Sequence, residues 1–139
     1  MIPPWVSDYI GLPYLTGGRD RAGLDCWGLF ALVWAEQLGR SLPDYHGPNW
    51  EKGGDHQTLG AAAVGYARAS FREIEMSEAQ VGDGILLRVS GAPIHVGMWV
   101  APETMLHIEE GCGAVLERLD SSAWRRRILS VWRRIDQTP

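Results

Sequence analysis

The 139-residue sequence contains only two cysteines, Cys26 and Cys112, and no long apolar run. Two cysteines are too few for a disulfide scaffold, so we interpret them as separate thiols. No apolar stretch approaches the roughly 18 residues of a membrane-spanning helix, and we expect no membrane span. The opening residues, MIPPWVSDYI, lack the basic and apolar regions of a signal peptide. They predict a protein made in the cytoplasm without a signal peptide.

An excess of positive charge is also missing, because 13 basic residues stand against 17 acidic ones and the net charge is −4. This balance argues against a nucleic-acid partner. The local exception is a group of five arginines near the C-terminus: Arg125, Arg126, Arg127, Arg133 and Arg134. We interpret them as the exposed face of a terminal strand, and docking onto an acidic partner is the alternative.

Neither an internal repeat nor a linker divides the chain, so we expect one domain over residues 1–139. The glycine- and proline-rich start predicts loop structure. Asp25 as N-cap, apolar residues at helical spacing and Gly39 after them predict a helix from about Asp25 to Leu38. A long polar loop over residues 41–57 suggests a binding or lid role, and the alanine-rich segment after it predicts a second helix over about residues 58–71.

The second half of the chain is rich in β-forming residues separated by turn signals. Five short stretches predict strands: ILLRV, IHVGMWV, TMLHI, AVLERL and ILSVW. Helices followed by strands indicate an α+β fold, with N-terminal helices packed on a C-terminal antiparallel β-sheet.

Cys26 stands at the predicted start of the first helix. Unpaired N–H groups and the positive end of the helix dipole would stabilise a thiolate there, and the same groups could hold an oxyanion. We therefore expect Cys26 to react with iodoacetamide near neutral pH faster than Cys112. The alternative is a buried, inert thiol.

His95 and His107 lie on consecutive predicted strands, 12 residues apart. A turn centred near Ala101 would place them directly opposite each other on one face, with Cβ atoms ~4.5–5.5 Å apart. That arrangement suits a site in which Cys26 attacks, His95 transfers the proton and His107 fixes the tautomer of His95. The alternatives are a polar residue at a strand start for His95 and a hydrogen-bonded histidine on a half-buried strand for His107.

The other histidines and Cys112 are weaker candidates for a functional role. His46 and His56 fall in the long polar loop and are interpreted as solvated, and Cys112 in its glycine turn as incidental. Zinc sites usually contain a close ligand pair such as C-x-x-C or H-x-x-x-H, which this sequence lacks. We expect no metal and no organic cofactor.

Five motifs follow one another in a recognisable order: GLPYLTGG, DCWGLF, VGDGILL, HVGMWV and MLHI. Together they resemble the NlpC-type cell-wall cysteine peptidases, a papain-like family that cleaves the peptide stems of peptidoglycan. The resemblance spans about residues 9 to 108.

The resemblance implies roles for individual residues. Cys26 would be the nucleophile, His95 the base and His107 the orienting third residue of a Cys-His-His triad. Tyr14 would support the oxyanion or the substrate, and Asp25 would help hold the free amine of the substrate. The alternatives for these two are a packed loop aromatic and a plain N-cap.

Trp27 departs from the family pattern, in which many members have a serine that helps bind the amino end of the stem peptide. We therefore expect Trp27 at the substrate-binding site, with an altered stem specificity and the same reaction type.

The DCWGL and LPDY motifs and the final SSAWRRRILSVWRRI most resemble the branch of the family found in tailed-phage tail proteins. This implies an enzyme that is carried on a phage or phage-like tail tip, with other tail proteins as partners. It would cleave γ-D-glutamyl–diamino-acid bonds in the wall through a thioester acyl-enzyme. The alternatives are a catalytically silent tail-tip adaptor with the same fold, or a papain-like amidase or acyltransferase.

Overall fold

The computed structural model describes residues 2–42, 71–89 and 92–135. Its elements, in chain order, are a 3-10 helix Pro4–Asp8, β1 Arg19–Asp20, β2 Gly23–Leu24, α1 Cys26–Gln37, β3 Phe71–Ile74, a 3-10 helix Met76–Glu78, β4 Gly84–Val89, β5 Ala92–Ala101, β6 Thr104–Glu109, β7 Gly113–Arg118, α2 Ser122–Arg125 and β8 Ile128–Arg134. Within these ranges, no helix has the length and apolar character needed to cross a membrane.

Helix α1 begins and ends where the sequence predicts. The Asp25 side chain accepts a hydrogen bond from the Gly28 N–H at 2.7 Å, which is the expected N-cap contact. At the other end Leu38 is the C-cap and Gly39 has a φ of 72°, a left-handed conformation that favours glycine.

Six strands form one antiparallel sheet in the order β3-β8-β4-β5-β6-β7, and the five predicted strands are all present in it. The α+β papain-like fold is confirmed. The predicted end of the second helix was wrong, because Phe71 is the first residue of β3. The rest of that predicted helix, and the polar loop from residue 43 onward, lie outside the described residues.

Two further differences concern short elements. The strands β1 and β2 pair with each other in a region predicted as loop. The five arginines do not share one strand, since Arg125 lies in α2, Arg126 and Arg127 follow it, and only Arg133 and Arg134 lie in β8.

The two faces of the sheet pack into two separate cores. Met98 and Val100 of β5 face α1, in a cluster that we call the helix-side core. Trp99 of β5 and Met105 of β6 face the opposite way and pack with Trp124 of α2, in a cluster that we call the outer core. Alternation of side chains along a strand produces this division.

The register of β5 and β6 differs from the predicted one. Their pairs run from Ala101–Thr104 to Met98–Leu106, so the turn consists of residues 102 and 103, and Glu103 has a φ of 54°. This offset moves the pairing by two residues, and His95 is not directly opposite His107. Because side chains alternate with a period of two, the offset still leaves both histidines on one face.

Candidate active site

Cys26 is the first residue of α1, half-buried, and packs against the helix-side core. Backbone hydrogen bonds from Trp27 and Val96 reach its sulfur. Val96 directly follows His95 in β5, so the sulfur lies against this strand beside the histidine position.

The two histidines contact each other directly. His95 Nε2 lies 2.9 Å from His107 Nδ1, and the rings are nearly perpendicular, with centroids 5.1 Å apart. Only 6% of His95 and 3% of His107 is exposed. The structure therefore confirms that the two rings lie on one side of the sheet. The predicted pairing, with His95 directly opposite His107, was wrong.

Trp124 covers this pair from the outer core. Its ring centroid lies 4.8 Å from that of His107 and 6.4 Å from that of His95. The indole is held in turn by Glu117, whose Oε2 accepts from Trp124 Nε1 at 2.6 Å. Sequence reasoning missed Trp124, because a four-residue helix has no apolar periodicity to reveal it.

The Cys26 sulfur packs against the helix-side core, and the two imidazoles contact Trp124 of the outer core. In the described part of the β5–β6 ladder, the last pair toward the histidines is Met98–Leu106. Beyond this pair, the Val96 N–H of β5 donates to the sulfur of Cys26 in α1. Both histidines contact Trp124. The candidate site therefore lies where β5 and β6 separate.

The thiol is more basic than the sequence led us to expect. The pKa of Cys26 is raised to about 11, mainly by burial and then by the neighbouring Asp25 carboxylate. The hydrogen bonds from Val96 and Trp27 lower the pKa, but less. The expected thiolate at the helix start was wrong for the free chain, because loss of water and a neighbouring anion outweigh the helix N–H groups.

Both histidines are held neutral. Burial, followed by the neighbouring His107 and Arg127, lowers the pKa of His95 to about 3. Burial is also the main cause that lowers the pKa of His107 to about 4, although Glu117 acts in the opposite direction. A neutral imidazole retains a lone pair, which a general base requires.

Asp25 is occupied by contacts within the chain. It is 2% exposed, and its Oδ1 accepts from Arg19 Nη1 and from the Gly28 N–H, both at 2.7 Å. Its Oδ2 accepts from the Gly17 N–H at 3.2 Å. These contacts support the N-cap interpretation, and binding of a substrate amine by Asp25 stays a prediction.

Tyr14 and Trp27 lie in different surroundings. Tyr14 is half-buried; burial raises its pKa, and the charges of Cys26 and Asp25 raise it further, which indicates that the phenol is near the thiol. Trp27 is buried in the helix-side core, with its ring 5.3 Å from Phe30. A contact from Trp27 to the stem peptide stays a prediction.

A third polar side chain joins the histidine pair. Among the residues that the structure describes, His95, His107 and Glu109 form a group whose potential metal-ligand atoms lie within 4.8 Å of one another. His95 Nε2 and His107 Nδ1 already contact each other, so an ion held by those two nitrogens would have to separate the rings. Sequence reasoning missed Glu109, although its position two residues after His107 on β6 was a usable signal.

The other candidates lie elsewhere. His46 and His56 are outside the described residues. Cys112 is exposed in the turn between β6 and β7.

The chain is similar in sequence to curated bacterial proteins. The chain is 23% identical over 121 residues to the murein DD-endopeptidase MepS/murein LD-carboxypeptidase of Escherichia coli, covering 87% of this chain and 55% of the relative. It is 25% identical to a probable endopeptidase NlpC homolog of Haemophilus influenzae, covering 86% of this chain and 54% of the relative. The chain thus spans about half the length of these curated relatives.

Solved structures match the fold over nearly the whole chain. An NLP/P60 family protein similar to a lipoprotein from Staphylococcus aureus superposes with a TM-score of 0.68 at 25% identity, covering 95% of this chain and 39% of that one. The peptidoglycan hydrolase RipB from Mycobacterium tuberculosis superposes with a TM-score of 0.59 at 19% identity, covering 92% of this chain and 60% of that one. The family model described as "NlpC/P60 family" matches residues 11–133, so the chain belongs to the NlpC/P60 family.

Proposed function

We propose that this chain is a cysteine endopeptidase that cleaves stem-peptide amide bonds in peptidoglycan, at the γ-D-glutamyl–diamino-acid linkage. The observation that carries the proposal is the 2.9 Å contact between His95 Nε2 and His107 Nδ1, beside the strand position whose N–H reaches the Cys26 sulfur. The similarity to a murein endopeptidase and to a peptidoglycan hydrolase supports this substrate class.

The proposed reaction uses three side chains in two steps. Cys26 transfers its proton to His95 as the sulfur attacks the amide carbonyl, and His95 then gives this proton to the leaving amine. The product is a thioester between Cys26 and the acyl half of the stem. His95 next takes a proton from water, the resulting hydroxide attacks the thioester, and the thiol is restored.

His107 would act through its contact with His95. When His95 Nε2–H donates to His107 Nδ1, the other ring nitrogen of His95 is left with the lone pair that takes the thiol proton. N–H groups at the start of α1 and the Tyr14 hydroxyl would stabilise the oxyanion. No metal or organic cofactor takes part in the proposed reaction.

A neutral thiol and a neutral imidazole in the free chain are compatible with this chemistry. Transfer of one proton creates a thiolate and an imidazolium together, and the attraction between them offsets part of the cost of burying each charge. We therefore place the proton transfer in the substrate complex rather than in the free chain.

Digestion of purified peptidoglycan tests the proposal. Mass spectrometry should detect released stem fragments with the wild-type chain and with Cys112→Ala. Cys26→Ala should release none, and His95→Ala should reduce release by about 10²-fold or more. Equal release by wild type and Cys26→Ala, or no release by either, would reject the enzyme and favour the silent adaptor. Products with free sugar–lactate ends would instead identify an amidase.

Delivery to the wall is a separate part of the proposal. We propose that the chain is made in a host cytoplasm, is assembled into a phage or phage-like tail and acts at the wall from the tail tip. The DCWGL and LPDY motifs support this, and the exposed Arg125 and Arg126 next to Trp124 offer a positively charged surface for other tail proteins. Proteomics of purified tail particles tests it, and particles without this chain would reject it.

A further inference from the structure

Two buried polar atoms near the histidine pair lack a hydrogen-bond partner. Within the described residues, His107 Nε2 and Glu109 Oε1 are each buried and unpaired. A Glu109 carboxylate oxygen lies within 4.8 Å of a ring nitrogen of His107. A buried donor or acceptor without a partner is unfavourable, so an unpaired donor and an unpaired acceptor this close together favour a hydrogen bond between them.

The tautomers of the two histidines decide which of these atoms donates. His95 Nε2 is engaged with His107 Nδ1, so the thiol proton must go to His95 Nδ1. That nitrogen must carry a lone pair, which places the His95 proton on Nε2. His107 Nδ1 is then the acceptor, and the proton of a neutral His107 lies on Nε2. The unpaired nitrogen is thus a donor and the unpaired oxygen is an acceptor.

Two other charged groups, Glu117 and Arg127, act on the histidine pair. Glu117 on β7 already accepts from Trp124 Nε1 through its Oε2. Arg127, which precedes β8, lies over the Trp124 ring at 4.4 Å, and its guanidinium cannot accept a hydrogen bond. Glu109 lies two residues after His107 on the same strand, so its side chain leaves β6 on the same face.

We propose that Glu109 is a positioning residue that accepts a hydrogen bond from His107 Nε2–H and holds His107 in the tautomer that accepts from His95. The proposal requires a rotation about the Glu109 side-chain bonds that brings the carboxylate oxygen to hydrogen-bond distance of His107 Nε2. The proposed proton transfer from Cys26 to His95 is then followed by hydrogen bonds from His95 to His107 and from His107 to Glu109. Both the catalytic role and the assignment of this tautomer rest on the proposed function, but the tautomer is measured without substrate.

The first measurement is nitrogen-15 NMR of the imidazole nitrogens at neutral pH, which needs no substrate. In the wild type, His107 should have a protonated Nε2 and an unprotonated Nδ1. Glu109→Gln should keep this tautomer, because the side-chain amide oxygen still accepts. Glu109→Ala should mix the two tautomers. If the Ala variant does not fold, Glu109→Asp, whose side chain is shorter by one methylene, should produce the same mixing.

Kinetics on purified peptidoglycan is the second measurement. Glu109→Ala should lower kcat at least about tenfold and change KM by less than about twofold, because the contact orients the base and does not touch substrate. Glu73→Gln is the matched control, since Glu73 is an exposed carboxylate on β3 at the far edge of the sheet. It should change neither measurement.

The outcomes separate the two proposals. A His107 protonated on Nδ1 in the wild type, or a tautomer unchanged in Glu109→Ala, would overturn the role of Glu109. A tautomer that shifts in Glu117→Gln but not in Glu109→Ala would assign the role to Glu117 instead. A tautomer that depends on Glu109 in a chain without hydrolase activity would reject the proposed function and leave the Glu109–His107 contact standing.

Discussion

Gly97 lies beside His107 across the gap between β5 and β6. A Cβ built on Gly97 would come within 3.5 Å of His107 Cβ and within 2.6 Å of the Met105 sulfur. The missing side chain at Gly97 therefore leaves room for His107 to turn toward His95, which belongs to the same strand as Gly97. The contact between His95 and His107 therefore depends on the lack of a side chain at Gly97 as well as on the two rings.

Gly97→Ala should weaken activity more than stability. The added methyl group must displace Met105 or His107, and Met105 can yield because its side chain is flexible, so we expect a loss of about 1 kcal/mol in the free energy of unfolding. Urea denaturation and peptidoglycan digestion measure the two effects. The double variant Gly97→Ala/Met105→Val should recover part of the activity, and a double variant no better than the single one would contradict this explanation.

Gly28→Ala should be the more destabilising of the two glycine substitutions. A Cβ on Gly28 would clash with the backbone carbonyl oxygen of Gly18, which cannot rotate away as a methionine side chain can. We expect a loss of about 3 kcal/mol in the free energy of unfolding, measured by urea denaturation beside Gly97→Ala. Equal losses in the two variants would show that the loop containing Gly18 moves easily.

The alkylation rate of Cys26 should rise with pH up to about pH 11, because the thiolate is the reactive form and burial keeps it scarce at neutral pH. At pH 7 the exposed Cys112 should react with iodoacetamide faster than Cys26. This reverses the expectation from sequence. Labelling is followed by mass spectrometry in Cys112→Ala and Cys26→Ala, and rapid neutral-pH labelling of Cys26 would show a preformed thiolate.

Asp25→Asn should lower stability and make the thiol more acidic. An asparagine keeps the N-cap, but the buried ionic contact with Arg19 is lost, which should cost about 2 kcal/mol. The Asp25 charge raises the pKa of Cys26, so its removal lowers that pKa. Denaturation and the pH profile of alkylation measure these effects, and an unchanged alkylation profile would exclude the electrostatic coupling.

Acid should destabilise the fold through the two histidines. Their pKa values fall from the ordinary 6.5 to about 3 for His95 and about 4 for His107 on folding, so below pH 6.5 the unfolded chain binds more protons. Stability is therefore lost as the pH falls from about 6.5 to about 4, with each histidine contributing on the order of 1.4 kcal/mol per pH unit.

Urea denaturation at pH 7 and pH 5 measures this loss. The variant His95→Gln/His107→Gln is the control, and it should lose less stability between the two pH values than the wild type. Equal losses would assign the acid sensitivity to carboxylates elsewhere in the chain.

Local signals made α1 and the five main strands predictable. Asp25 and Gly39 mark the ends of α1 by side-chain capping and by a left-handed backbone, both of which depend on neighbouring residues alone. The shared face of His95 and His107 was also predictable, because it requires only that the offset between the strands be even.

Features set by packing were not predictable. The turn consists of residues 102 and 103, and its left-handed residue is Glu103 rather than a glycine. The sequence therefore contains no turn residue that indicates the register of β5 and β6. The raised pKa of Cys26 depends on how completely neighbouring elements exclude water from its sulfur. Trp124 contacts the histidines because it packs on the face of the sheet from which their side chains project.

The division of the sheet into two cores has a consequence for how activity would be lost. Cys26 is anchored by the helix-side core, whereas His95 and His107 are anchored by Trp124 in the outer core. A small slip of one layer against the other changes the sulfur-to-imidazole distance while each layer stays internally intact. Heating should therefore inactivate the chain before circular dichroism detects unfolding.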